Sequence, residues 1–242
     1  MPPRQRFRFS NLGITQGALI ILGLEVGLSL VYMLADVSAR ATLETWLVAT
    51  PSHVFEHGRV WTLVTSNFLE PDVIGLLLQG FMMFMFVPTL ERFWGTARFY
   101  RFVAITSLVG TAVGVVVGQL LGREVAVFGL SPFTWAAVVA FGIIYARQPV
   151  QFFGVLPLTG RQFMYGFIVF LLVFVLLQQK WEQGAGFAAA MLAAAVMTSK
   201  RWSPALAWKR WKIARARAKL TVMQGGQGGR PTPKRDEQKY LN

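Results

Sequence analysis

Two histidines, His53 and His57, are the only side chains of this 242-residue chain whose ordinary pKa suits proton transfer near neutral pH. Both precede the second long apolar run, in a polar loop. They could act inside a membrane only if that loop folded into a cavity. The chain has no cysteine, which removes disulfides, thiolate metal sites and a cysteine nucleophile. No metal or cofactor is expected. Among the carboxylates, Glu25 interrupts the first apolar run, and an acid at that depth is a functional suspect by default. No partner for it is evident in the sequence, so the plainer reading is a hydrogen-bonded acid facing its neighbours.

The elements that must position these groups are apolar helices. The chain is 54% hydrophobic and 14% charged, with a mean hydropathy of +0.48, whereas soluble domains carry about 25% charge. Six runs approach the ~20 residues that cross a bilayer: 13–35, 73–90, 99–121, 127–146, 161–177 and 183–198. The expected fold is an all-α polytopic membrane protein whose six-helix membrane domain fills 13–199. A cytoplasmic basic N-terminus (1–12) precedes it, and a basic interfacial helix (200–223) and a disordered tail (224–242) follow.

Net charge is +13, concentrated near the ends, with Arg4, Arg6 and Arg8 before the first run and Lys200 to Lys219 after the last. Arg92, Arg98, Arg101, Arg147 and Arg161 flank loops on the same side. The positive-inside rule makes that side cytoplasmic, with both termini on it. The basic C-terminal segment, with Trp208 and Trp211, should meet anionic lipid; nucleic acid is not expected. The stretch Ser38-Ala39-Arg40-Ala41 faintly resembles a signal cleavage site, but an uncleaved first helix fits the charge pattern. The long loop 36–72 holds Trp46, Val48, Phe55 and Trp61 and should lie partly in the interface. Gly110, Gly114, Gly118 and Gly122 fall at every fourth position, and Gly186 opens a similar stripe with Ala190 and Ala194. Such stripes let a neighbouring backbone approach closely.

The segments RVWTLVTSNFLE, LERFWG, VFGLSPF and ARQPVQFFGVLP, in that order over 52–199, resemble the rhomboid superfamily of membrane-embedded serine proteases. The framework residues are Arg59, Trp61, Glu91 and Gly95, with Trp94 at interface depth. The wording is closest to a Golgi-type branch regarded as non-proteolytic. The resemblance implies a six-transmembrane rhomboid-like bundle. It also implies a vestigial site. Active rhomboids carry Gly-x-Ser-Gly at the start of span four, a His in span six, and a His and an Asn in span two. Here Ser131 matches the serine, but Pro132 replaces the second glycine. Gln183 falls at or beside the span-six His, Gln79 at the Asn and Gly75 at the span-two His. Glu70 falls where many rhomboids have an earlier His.

Glutamine cannot act as a general base near neutral pH, and an unassisted serine hydroxyl is a weak nucleophile. Gly75 has no side chain to stabilise an oxyanion, whereas Gln79 could still donate. Glu70 and Glu182 are the nearest substitute bases, both expected at the water interface. Ser131 before Pro132 also reads as a helix N-cap. Glu91 is expected to bond the next turn or to pair with Arg92 or Arg98. No catalytic residue is therefore expected, and the anticipated function is a pseudoprotease that binds transmembrane clients. The alternatives are an active intramembrane serine protease pairing Ser131 with Glu182 or a Gln183-held water, and a transporter that depends on Glu25. A bacterial inner membrane is the expected location, with Golgi or ER membrane as the alternative.

Overall fold

In hydrocarbon every backbone N–H and C=O must be satisfied internally, so long apolar runs become helices. A computed structural model describes residues 13, 15–152, 156–199, 211–213 and 215. The helices are α1 (Gln16–Leu34), α2 (Val37–Leu47), α3 (Thr62–Thr65), α4 (Val73–Trp94), α5 (Thr96–Leu120), α6 (Ser131–Ile144), α7 (Gly160–Gln178) and α8 (Trp181–Thr198). A π-helical turn covers Ser52–Glu56 and a 3-10 turn covers Ser66–Phe68. Strands β1 (Pro149–Phe152) and β2 (Leu156–Thr159) form a small antiparallel hairpin between α6 and α7, which the apolar periodicity does not foretell.

Each of the six apolar runs holds most of one helix. Four of these, α1, α4, α5 and α7, are long and apolar enough to cross a membrane. The other two differ for physical reasons. The 14 residues of α6 include ten buried ones, so this helix is enclosed by protein rather than matched to a bilayer. Half of helix α8 is alanine and glycine, which suits close approach rather than hydropathy. The fourth run, expected from 127, becomes helical only at Ser131. Val127 pairs with Ala49, and Gly129 turns the chain at φ +70°, a conformation that favours glycine.

Two compact units divide the chain, Met1–Trp202 and Ser203–Asn242. In the second, Trp211–Ile213 and Arg215 are helical, with the Arg215 guanidinium 3.9 Å over the Trp211 ring. The basic N-terminus 1–12, most of the segment 200–223 and the tail 224–242 lie outside the described residues. In the first unit, Phe86, Phe99, Phe102, Phe133 and Phe141 are fully buried and meet edge to face, as in the 5.4 Å contact of Phe86 with Phe141.

Small residues set the tightest contact. A Cβ on Gly110 would lie 2.5 Å from Pro132 Cβ and 3.1 Å from Gly186 O, and one on Gly186 would lie 2.6 Å from Gly110 O. Gly114 faces Glu182 O, and Gly118 faces Arg123 O and Pro51. Gly122 departs from the expected stripe: it lies beyond the end of α5 with open space around it.

The charge at Glu91 also departs from expectation. It accepts hydrogen bonds from Gly17 N (3.1 Å), Ala18 N (3.0 Å), Thr15 Oγ1 and Thr96 Oγ1 (2.8 Å). A carboxylate from the end of α4 thus caps the orphan N–H groups of α1. Arg92 instead donates to Gly13 O, and Arg98 stacks over Trp94 at 5.9 Å. Gly95, at φ +79°, is the single residue joining α4 to α5.

The loop 36–72 is largely helical. Asp36 caps α2, which incorporates the Ser38–Ala41 stretch. Arg59 donates to Thr45 O and lies 5.0 Å over the Trp46 ring, while Trp61 Nε1 donates to Trp46 O and stacks on Trp46. Trp46, Phe55 and Trp61 are exposed, as an interfacial surface requires. Val48, expected among them, is buried against Leu69 and Tyr32.

Two predictions follow from these contacts. Glu91→Ala leaves the start of α1 uncapped and should cost about 3 kcal/mol, read from thermal or SDS-induced unfolding in detergent. Gly110→Leu should abolish folding, whereas Gly23→Leu, whose Cβ meets nothing within 4 Å, should leave the unfolding transition in place.

Candidate functional site

The turn before α6 is pinned from two sides. Gly129 N donates to Ser66 O (3.0 Å) and to Leu69 O (2.9 Å). This brings the end of the 36–72 loop against the N-terminus of α6 and sets Glu70 beside Ser131. A cavity of about 490 Å³ opens there, between α4 and α7. Glu70, Ser131, Lys180 and Gln183 give its polar wall; Leu78, Trp135, Phe170 and Phe174 give much of its apolar wall.

Ser131 does not cap α6. The helix begins one residue earlier than its Ser-Pro pair suggests: Leu130 is the N-cap, and Ser131 and Pro132 occupy the first two helical positions. Among the described residues the Ser131 hydroxyl makes no hydrogen bond. Gln183 lines the cavity from the first turn of α8. Gln79 does not serve the cavity, because its Nε2 donates to Thr134 Oγ1 at 2.7 Å and ties α4 to α6. Gln79 is buried and is not among the residues that line the cavity.

The two candidate bases separate. Glu182 is enclosed by protein, and its carboxylate pairs with Arg123 at 3.6 Å. Glu70 is half-buried and lines the cavity. A Cβ on Gly75 would fall on Glu70 Oε1, and one on Gly129 would fall on Glu70 Oε2. The same point on Gly129 is 3.9 Å from Ser131 Oγ, so hydroxyl and carboxylate flank one bare glycine face. Asp72 Oδ2 lies 2.8 Å from the Gly75 position, while its Oδ1 caps α4 by accepting from Gly75 N.

Burial, and next the charge of Asp72, push the Glu70 carboxyl up to about 7. Behind it, Glu70 N donates to Ser29 Oγ on α1 at 2.9 Å. One turn before Ser29 sits Glu25, fully buried. Its carboxyl oxygens make no side-chain hydrogen bond. Glu70 and the backbone of Leu130 are the polar groups that act on it. The histidines stay away: His53, on the π-helical turn, bonds Val48 O through Nδ1, His57, just after that turn, bonds Ser52 O through Nδ1, and neither lines the cavity.

Sequence reasoning missed that Glu70 occupies the space vacated at Gly75 and Gly129. The signal was available, since two glycines and one acid all fall at motif positions, but only the turn geometry brings them together.

A raised pKa fixes the sign of one prediction. Glu70 in an unfolded chain ionises near 4.5 and in the fold near 7. Its contribution to stability is full below 4.5 and is lost as pH rises through 7. Glu70→Gln should therefore flatten the pH dependence of Tm over that window and raise Tm at pH 8 by roughly 2–4 °C, measured by thermal unfolding in detergent from pH 4.5 to 8.

Comparison with known proteins bears on the same region. A family model described as Eukaryotic integral membrane protein (DUF1751) matches residues 19–200, spanning α1 to α8. The chain is also similar to the Bacillus subtilis (strain 168) protein named Putative rhomboid protease YdcA, at 34% identity over 79 residues, which is 31% of this chain and 39% of that protein. It thus spans about two fifths of the length of that curated relative. With its apolar helices, these matches make it a rhomboid-like integral membrane protein, and the chain belongs to the DUF1751 family of eukaryotic integral membrane proteins.

Proposed function

We propose that this protein is a pseudoprotease of the Golgi-type rhomboid-like branch, which holds transmembrane helices of client proteins and does not cut them. One observation carries the reading: the Glu70 carboxylate covers the bare faces of Gly75 and Gly129, beside Ser131. In acyl transfer an oxyanion develops near the serine and needs hydrogen-bond donors. Losing one such donor costs about 10²–10³ in rate, and a carboxylate in that space adds repulsion. Pro132 offers no backbone N–H, and Gln183 takes no proton.

The cavity suits a helix. Leu78 on α4 and Phe170 on α7 are both exposed, and the cavity they help to line joins apolar side chains to the polar Glu70, Ser131, Lys180 and Gln183. Six spans with both termini cytoplasmic, and a basic C-terminal segment on anionic lipid, remain part of this proposal. The description of the family as eukaryotic weighs against a bacterial inner membrane and favours the Golgi or ER alternative.

A second reading has its own observation. A Glu70 carboxyl titrating near 7 shares the Gly129 face with Ser131; closing to hydrogen-bond distance would let it accept the hydroxyl proton and make the protein a serine hydrolase with a carboxylate base. A fluorophosphonate probe separates the two on purified protein, with an active rhomboid as positive control. The pseudoprotease reading expects no labelling of wild type. Labelling lost in both Ser131→Ala and Glu70→Gln would establish the hydrolase instead. For client binding, a photocrosslinking residue at Phe174, inside the cavity, should capture transmembrane segments, while one at Leu120, exposed elsewhere, should not.

A further inference from the structure

His53 and His57 are the chain's only histidines, and the chain has no cysteine. Thiolate coordination is thus excluded, whereas imidazole coordination is not. The two residues share one helical turn: His53 lies in the π-helical turn Ser52–Glu56, and His57 is its C-cap with αR backbone angles. Residues four apart on a turn lie on the same face, the spacing by which two imidazoles on one helix bind a single zinc. Among the described residues each ring is held through Nδ1 alone. His53 Nδ1 bonds Val48 O at 2.9 Å, and His57 Nδ1 bonds Ser52 O at 3.2 Å. A carbonyl oxygen only accepts, so each Nδ1 carries the proton and each Nε2 lone pair is left for a ligand. Metal-binding histidines are held in this way, with the second ring nitrogen donating to a carbonyl or carboxylate. The two ring centroids are 6.3 Å apart. His53 is half-buried and His57 exposed, so an ion reaches the pair from water.

We propose that His53 and His57 form a two-histidine site for a zinc ion, bound through both Nε2 atoms. Imidazole suits zinc, copper and nickel, whereas calcium and magnesium take oxygen ligands. Two rings on one tetrahedral zinc, with bonds of about 2.0–2.1 Å, have centroids about 5 Å apart, so a shift of about 1 Å by the exposed His57 ring completes the chelate. Among the described residues no group of three acids and histidines is arranged to hold a metal ion. The site is therefore an open one, with water in its remaining positions. Its place in the fold gives the ion a consequence. The turn follows Ala49, which pairs with Val127, and Val127 lines the cavity. An ion that binds the folded turn stabilises it by mass action, and with it the segment that holds this part of the cavity wall. The inference is independent of whether the protein cuts its clients or holds them.

The test uses the full chain, without an affinity tag, in detergent micelles and a non-coordinating buffer. Zinc chloride is titrated in and followed by calorimetry, and the zinc-loaded protein is measured by X-ray absorption. One zinc per chain is expected, with two imidazole nitrogens at about 2.0–2.1 Å. Because the chain has only two histidines, that count identifies both without recourse to any variant. His53→Gln and His57→Gln should each weaken binding by at least about tenfold, since losing even an outer-shell partner costs that much. Zinc should raise the Tm of wild type and leave that of either variant in place. Absence of saturable binding to wild type overturns the inference. So does a metal shell with fewer than two imidazoles, or one zinc shared between two chains. Undiminished binding in either folded variant overturns the pairing of His53 with His57.

Discussion

Gly110 and Gly186 let the backbones of α5 and α8 touch, and Pro132 at the start of α6 closes on the same point. Lipid tails are as apolar as leucine, so no hydrophobic force drives one helix against another in a bilayer. Backbone proximity and dispersion contacts must do that work, and they vanish if either glycine gains a side chain. Three helices are oriented by this junction. Because α6 carries Ser131 and α8 carries Gln183, the junction also fixes the inner end of the cavity. Helix α7, by contrast, buries only Gly160, Phe163, Leu171 and Val175 and forms the cavity's more weakly held side.

On the proposed reading, an acid fills the space where the rhomboid resemblance puts a hydrolytic site. Gly75 and Gly129 would leave a hollow, and Glu70 fills it. Gln79 has become a strut to Thr134, and Glu182 a counter-charge for Arg123. Each of these residues has a local structural role, and the face beside Ser131 holds a carboxylate. Glu91 is an acid of a different kind: it is saturated by four donors and belongs to the architecture.

Much of the helical scaffold was legible in the sequence because runs of apolar residues have no alternative to helix in lipid. The positions of α1, α4, α5 and α7 follow from length and hydropathy. The start of α6 was not legible, since Val127 and Phe128 are apolar whether extended or helical, and only pairing with Ala49 decides. The role of Glu91 was misread because its partners on α1 are 73 to 76 residues away, and local spacing points to nearby arginines. At the site, motif order located Ser131, Gln183 and Glu70 along the chain. That Glu70 and Ser131 share one glycine face depends on the left-handed turn at Gly129 and on its bonds to Ser66 and Leu69, which no periodicity encodes.

The buried carboxyl in α1 has a consequence for biogenesis. A translocon reads each segment before its neighbours exist, and a carboxylic acid near the middle of a helix costs about 2.5–3.5 kcal/mol on insertion scales. The flanking residues of α1, with a mean hydropathy of 2.1, offset that cost, so the helix enters the bilayer on its own. Its N-terminal N–H groups and Glu25 then wait for chain synthesised later: Glu91 to cap the one, and the turn at Leu130 to enclose the other. Residence of the half-made protein in the membrane is thus a period in which an exposed acid marks α1 as unassembled, and completion of α6 is the event that hides it.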